Sequence, residues 1–312
     1  MGSNSGYLGR IIGYVELMRP HNLVATVLTT LVGILAASVY ASISFSDITY
    51  LVKPVATVVL ITSAGYVIND YYDAEVDAIN KPYRPIPSGR VSKVEALVFS
   101  ITLFMLGCLI PVFIGPLSLA YALINALLVY LYSFKIKELG FLGNLLVSFL
   151  GASSIIYGSI AVADYLGNYS LITASILPST YAFLLLLSRE VIKTIEDFRA
   201  DSVRNVRSLP RTIGIKGAYL FSVCTLLLIV MISPLPYVLF NYGPTYALLV
   251  TITDAILIYD VATIIKNLST TCKDVIKAEG LAARLRSHLK VAIFVGTLAF
   301  LTDLVIRYYL IM

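Results

Sequence analysis

The 312-residue chain has no tryptophan, two histidines and three cysteines, and only 13% of it is charged. So little charge excludes an ordinary soluble domain, in which about 25% of residues are charged. With 58% hydrophobic residues and a mean hydropathy of +0.87, the chain reads as an integral membrane protein. His21 and His288 fall near membrane borders and read as surface or packing residues. Neither an imidazole metal site nor a Ser–His nucleophile couple is expected from them. Cys108, Cys224 and Cys272 have no metal or disulfide spacing and read as inert packing residues. In the absence of tryptophan, the 22 tyrosines either replace part of the interfacial belt or line an internal tunnel. No short repeat, low-complexity tract or heptad run appears. The first twenty residues lack an apolar core long enough for a signal peptide.

What is present is a series of nine apolar segments of spanning length. They run over 21–40, 50–68, 94–114, 116–134, 141–162, 169–188, 217–237, 244–265 and 289–309. The N-terminus and the loops after the even-numbered spans, placed on one side, collect all of the 23 basic residues except Lys53 and Arg307. The positive-inside rule makes that side cytoplasmic and places the C-terminus outside. The connections on the other side are short and nearly uncharged, so the chemistry is expected in the cytoplasmic loops. The fold class expected is all-α: nine transmembrane helices around a central cavity, forming one domain over 1–312.

The most informative stretch is Asn69–Arg90, N-D-Y-Y-D-A-E-V-D-A-I-N-K-P-Y-R-P-I-P-S-G-R. Asp70, Asp73 and Asp77 are spaced three and four apart, and a continuous helix puts all three on one face. Carboxylates crowded in this way repel one another unless they share a cation. Oxygen ligands without His or Cys suit Mg2+, which characteristically bridges one or two carboxylates to substrate phosphate oxygens. Lys81, Arg84 and Arg90 follow on a Pro-rich turn and supply candidate phosphate contacts. A hydrated acidic loop between two spans is the plainer alternative.

A second acidic stretch, Ser188–Pro210, places Glu190, Lys193, Asp197 and Asp201 at helical spacing. By itself it reads equally as a solvated helix with i,i+4 pairs worth about 0.3–0.5 kcal/mol each. Beside the first motif, on the same side of the membrane, it reads as the second jaw of a metal–diphosphate clamp.

The pattern N-D-x-x-D-x-x-x-D followed by D-x-x-x-D resembles the UbiA superfamily of intramembrane prenyltransferases. So do Arg19-Pro20-x-Asn22, the Arg84-Pro85-Ile86-Pro87-Ser88-Gly89 tail and Tyr132-Ser133-Phe134-Lys135-Ile136-Lys137. The resemblance implies a Mg2+-complexed polyprenyl diphosphate donor, a lipid-soluble acceptor, contact with membrane lipids and no nucleic acid. It assigns Asp70, Asp73, Asp77, Asp197 and Asp201 to the metal and to catalysis. Asn69 would orient a phosphate oxygen or metal-bound water. Arg84, Tyr132, Lys193 and either Lys135 or Lys137 would hold the diphosphate. Asn22 either lines the site or caps the first span, and Glu190 is a further candidate for substrate contact or for a base.

The phrase around Arg189–Asp197 resembles the archaeal, ether-lipid-making branch of the family, which transfers geranylgeranyl to geranylgeranylglyceryl phosphate. Arg199, Arg204, Arg207 and Arg211 would then be candidate contacts for an acceptor phosphate, with topology and anionic-lipid contact as the alternative. Ile79-Asn80-Lys81-Pro82-Tyr83-Arg84 resembles the turn of chlorophyll synthases, so an aromatic or chlorophyllide acceptor stays open. Ala200 stands where the lipid-making branch commonly has glycine. A cation transporter fits less well, because its ionisable groups belong near the midplane and away from arginines. A phosphoalcohol transferase would need a D-G-x-x-A-R run, which is absent. Asp254 and Asp260 lie within a span, where pairing is the expected explanation. Asp303 and Arg307, four apart, are expected to form an ion pair.

Overall fold

The structure, a computed structural model, describes residues 3–44, 47–203 and 206–311. Its α-helices are α1 (Ser3–Met18), α2 (Pro20–Ala41), α3 (Thr49–Tyr72), α4 (Ala74–Asn80), α5 (Lys93–Leu109), α6 (Pro116–Phe134) and α7 (Phe141–Leu166). There follow α8 (Ile176–Glu196), α9 (Phe198–Val203), α10 (Leu209–Ile232), α11 (Leu235–Leu239), α12 (Pro244–Thr271) and α13 (Val275–Ile311). Nine helices among the described residues are long and apolar enough to cross a membrane, as the hydropathy pattern predicts. The starts follow local chemistry. Proline opens α2, α6 and α12, where its missing N–H costs nothing. A Ser92–Glu95 capping box opens α5, with reciprocal bonds of 3.2 and 2.8 Å.

The spans pack tightly because small residues let their backbones approach. A Cβ added to Gly33 on α2 would lie 1.9 Å from the Ile155 carbonyl oxygen, and one on Gly158 of α7 would lie 2.3 Å from that of Thr30. Without a strong hydrophobic force between helices in lipid, such close approach supplies much of the association energy. Ser159 Oγ adds a 2.8 Å bond to the Gly33 carbonyl. Replacing Gly158 with valine is expected to cost on the order of 3 kcal/mol or more by overpacking. A lowered thermal midpoint in detergent is the readout, and an unchanged midpoint would show that α2 and α7 separate freely.

Intramembrane acids resolve as structural partners. Asp260 on α12 meets His288 Nδ1 on α13 at 2.7 Å, and Asp254 accepts from Ser233 Oγ at 2.5 Å. The expected Asp303–Arg307 pair does not form. Asp303 instead accepts from the Gly243 N–H at 2.8 Å, while the Arg307 guanidinium lies 5.1 Å from the Tyr242 ring centre. A backbone donor close by outcompetes the i,i+4 cation. Cys224 and Cys272 are exposed and only Cys108 is partly enclosed, which corrects the packing assignment for two of the three. Cys224 lies on an exposed face of α10, and Cys272 in the turn after α12.

The short helix α1 lies against α3 and α5. Leu17 is fully buried, and Tyr14 meets Phe99 edge-on at 5.0 Å. Arg90 ties α1 to the turn after α4, donating to both carboxylate oxygens of Glu16 at 2.9 and 2.6 Å. Those bonds hold the Glu16 carboxyl below its usual value. The tie therefore contributes above the ordinary carboxylate range and is lost as pH falls through the depressed value.

Candidate active site

The helix carrying the first motif does not run straight through it. Asp73 caps α3 with φ −84° and ψ 1°, and the chain re-enters a helix as α4. The bonds Asp73 N to Asn69 O and Asp77 N to Asp73 O persist at 2.9 and 2.8 Å, so the three aspartates stay close to one face despite the break. The Pro-rich turn that follows folds back over them. One guanidinium, Arg84, reaches Asp70 at 3.1 Å and also bonds Asp77. Asp70 and Asp77 are 7% and 9% exposed, whereas Asp73 is 33% exposed and faces the opening.

Lys137, from the loop after α6, joins this cluster. Its ammonium is 2.6 Å from Asp73 Oδ1 and 3.2 Å from Asn69 Oδ1, and the Asn69 amide donates to Asp73 at 2.9 Å. Lys135, the other lysine of the Tyr132–Lys137 element, points away and pairs with Glu138 at 3.0 Å in the open. A 3-10 turn over Ile136–Glu138 separates the two lysines in direction, and the structure brings only Lys137 to the aspartates. Arg90 is occupied by Glu16, the Tyr83 carbonyl (2.9 Å) and Ser88 (3.1 Å), so it shapes the turn and does not face the opening. Lys81 is exposed at the start of that turn.

Two residues of this site, Arg19 and Tyr66, are given no role by the sequence, although Arg19 stands in the Arg19-Pro20-x-Asn22 motif. Arg19, which precedes α2, has φ 52° and ψ 62°, in the left-handed region that non-glycine residues avoid at a cost of about 1–2 kcal/mol. That backbone aims its guanidinium at Asp70 (2.5 Å) and over the Tyr66 ring (5.0 Å to the centre). Tyr66 sits one turn before Asp70, and its hydroxyl lies against Asn22. Asn22 therefore lines the site and does not cap the helix, because the cap position is held by Arg19. The Arg19-Pro20-x-Asn22 motif marks the place, and the proline keeps Arg19 out of the right-handed α region, but neither reveals the left-handed backbone.

The second motif breaks in the same way as the first. Asp197 ends α8 with φ −87° and ψ 10°, and Asp201 belongs to the six-residue α9. Lys193 stands one turn before Asp197, bonding its N–H through the Lys193 carbonyl at 2.9 Å. Deeper on α8, Arg189 pairs with Glu190. Glu190 and Asp73 are both within electrostatic reach of Tyr132, and Arg189 within that of Tyr66. α3, α6 and α8 thus converge on one opening at the end of the bundle that carries the basic residues. Two of the four loop arginines have partners within the chain: Arg199 binds Glu279, and Arg211 donates to the Asp201 and Val206 carbonyls at 3.1 and 2.7 Å. Arg207 is exposed, and Arg204 lies outside the described residues. Below the opening, a cavity between α3, α6 and α7 is lined by Thr57, Ile61, Tyr121, Asn125, Leu150 and Tyr157.

The donor set fits a hard divalent cation in kind, since every candidate ligand is a carboxylate oxygen. Among the described residues, no three metal-ligating side chains are gathered as a closed cage. The arginines and Lys137 hold the carboxylates apart instead. Mg2+ completed by substrate phosphate needs only one or two protein carboxylates, and the accessible Asp73 offers one.

Residues 26–273 match the UbiA prenyltransferase family. The chain is similar to a digeranylgeranylglyceryl phosphate synthase from Hyperthermus butylicus, with 40% identity over 94% of this chain and 96% of the relative. Among solved structures, one concerning digeranylgeranylglyceryl phosphate synthase in membranes is 31% identical with a TM-score of 0.76, covering 95% of this chain and 99% of the other. A UbiA homologue from Archaeoglobus fulgidus bound to DMAPP and Mg2+ shares the fold at 15% identity and a TM-score of 0.57, over 90% and 99% of the two chains.

Proposed function

The chain belongs to the UbiA prenyltransferase family, and on that premise we propose that it transfers a geranylgeranyl group from its diphosphate to geranylgeranylglyceryl phosphate, in a Mg2+-dependent step of ether-lipid synthesis. The observation that carries the reading is the Asp73–Asn69–Lys137 group, with Asp70 and Asp77 behind it already crossed by Arg19 and Arg84. Acidic metal ligands interleaved with cations are what a metal-bound diphosphate requires, and what a cation pathway would avoid. The named relative from Hyperthermus butylicus supports the acceptor, and the DMAPP- and Mg2+-bound homologue supports the donor class and the metal.

In this reading Asp70, Asp73 and Asp77 on one side, and Asp197 and Asp201 on the other, would hold Mg2+. Bound there with substrate phosphate, it would supply positive charge to the diphosphate leaving group. Arg84, Lys137 and Lys193 take phosphate oxygens, Tyr132 steers the donor beneath them, and Asn69 fixes the Asp73 carboxylate. The glycerol hydroxyl of the acceptor attacks the allylic C1, the C1–O bond breaks with its electrons going to diphosphate, and the hydroxyl proton leaves to a carboxylate or phosphate oxygen. The apolar spans keep water from the carbocation-like carbon. Among the described residues no Cys and no Ser–His couple stands with these groups, and the reaction is written without a covalent enzyme intermediate. The chain acts as one domain over 1–312, with its N-terminus and this opening cytoplasmic and its C-terminus outside.

The test is product mass after incubating purified protein with geranylgeranyl diphosphate and three acceptors: geranylgeranylglyceryl phosphate, an aromatic quinone precursor and a chlorophyllide. The glyceryl phosphate alone is expected to be prenylated, with turnover removed by EDTA and restored by added Mg2+. A prenylated ring would move the protein to another branch of the family. Turnover that survives EDTA would remove the metal from the mechanism.

A further inference from the structure

We propose that the part of α13 that projects beyond the bilayer is a clamp that positions the second aspartate motif. This deepens the functional reading above and rests on it for the motif's role. The 37-residue α13 is about 55 Å long at 1.5 Å per residue, against a hydrocarbon core of ~30 Å. Its first half, from Val275 to Lys290, lies at the basic-rich end beside α8.

The need for a clamp follows from the break at Asp197. A six-residue helix gains too little from its own hydrogen bonds to hold a direction. Yet Asp201 is on it, and the two aspartates must keep one relation for a metal site to exist. α13 supplies what α9 lacks. Glu196, just before Asp197, pairs with Arg286 at 2.9 Å. Arg199, just after it, is gripped by Glu279, which accepts from its Nε at 2.7 and 3.0 Å and from its backbone N–H at 3.2 Å.

The two pairs straddle Asp197 and run in opposite charge order. An acid before the break meets a base on α13, and a base after it meets an acid. Glu279 and Arg286 are seven residues apart and so share one face of α13. Sliding α9 along α13, or turning it over, would set like charges together. The support is rigid: Ala278, Ala282, Leu285 and Leu289 are fully buried, and Tyr219 Oη donates to the Ala278 carbonyl at 2.8 Å. Arg211 holds the far end of α9 through the Asp201 carbonyl. Glu279 and Arg286 grip Arg199 and Glu196 on either side of Asp197 and so act through the backbone that carries the aspartates, which makes them positioning residues.

The experiment measures geometry and metal use separately. Spin labels on Ser202→Cys and Ser287→Cys, in a protein with its three native cysteines replaced by serine, report the α9–α13 distance without metal or donor. The otherwise unaltered protein is expected to show one narrow distance distribution. Glu279→Gln with Arg286→Gln is expected to broaden it, and the charge exchange Arg199→Glu with Glu279→Arg to keep it narrow. In parallel, the Mg2+ concentration for half-maximal turnover is expected to rise about tenfold or more in the double glutamine variant. The charge exchange is expected to return it close to the wild-type value, with the thermal midpoint unchanged. An unaltered distance distribution and Mg2+ requirement in the double glutamine variant would overturn the clamp, as would failure of the exchange to restore them. A wild-type protein that ignores Mg2+ would instead sink the reaction proposed above, and the label distances would still decide the clamp.

Discussion

Asp73→Ala is expected to lower turnover by about 10³-fold while leaving the protein folded, the scale seen when one preorganised charge-stabilising group is removed from an active site. Three observations single it out from its neighbours. It is the most exposed of the three aspartates in the first motif, it sits at the break between α3 and α4, and its carboxylate is held by Asn69 and Lys137. Its removal leaves Lys137, 18% exposed, with the Asn69 side-chain carbonyl oxygen as its remaining partner, so a loss of stability of about 1 kcal/mol is expected beside the loss of turnover. Asp70 and Asp77 are more deeply buried: truncating Asp70 takes the carboxylate from Arg19 and one of two from Arg84, and truncating Asp77 leaves Arg84 with Asp70 alone, so either change mixes destabilisation with loss of function. Asp201→Ala is expected to abolish turnover similarly. The check is turnover at saturating Mg2+, together with the thermal midpoint in detergent. Full activity in Asp73→Ala would remove the first motif from the metal site. If Asp73→Ala gave a large loss and Asp201→Ala none, the metal would be held from one side alone.

Arg19 is expected to show the second largest effect, and a pair of substitutions separates its two contributions. Arg19→Ala removes the guanidinium from Asp70 and from the Tyr66 ring but keeps a side chain in the left-handed backbone region. Arg19→Gly removes the same contacts and relieves the backbone, so it is expected to be more stable than the alanine variant by about 1 kcal/mol. Both are expected to lose on the order of 10²-fold in kcat/KM, because Asp70 then pulls Arg84 towards itself and away from a diphosphate. Arg19→Lys keeps a charge but not the planar contact over Tyr66, and an intermediate loss is expected. Equal activity in all four proteins would show that Arg19 serves the fold and not the site. If glycine restored activity along with stability, the strain itself, and not the charge, would be the feature that matters.

Much of this molecule is legible along the chain because the bilayer imposes strong local rules. Backbone groups in lipid must bond within their own helix, so nine apolar runs become nine spans, and charge asymmetry gives them an order and a common end. The carboxylate spacings, the turn with Arg84 and the Tyr132–Lys137 element follow from residue order alone, as does the family. What spacing did not reveal depends on which groups compete for a partner in space. Lys135 and Lys137 are equivalent by spacing, and the fold sends one to Asp73 and the other to Glu138. Asp303 and Arg307 stand at ion-pair distance in sequence, yet a backbone N–H from another segment takes the carboxylate. Both aspartate motifs read as unbroken helices, but the first breaks at its middle aspartate, Asp73, and the second at its first, Asp197.

Residue order sets the solvent this protein lives in and the number of its spans, because both depend on composition and short-range periodicity. Which cation answers which carboxylate is settled by packing. Packing also brings Arg19 and Tyr66 into the site and sets α13 against the second motif. Those outcomes rest on contacts between residues far apart in the chain, such as Arg19 with Asp70 or Arg199 with Glu279. A charged group bonds the partner that packing brings within reach, and no rule of spacing carries that information.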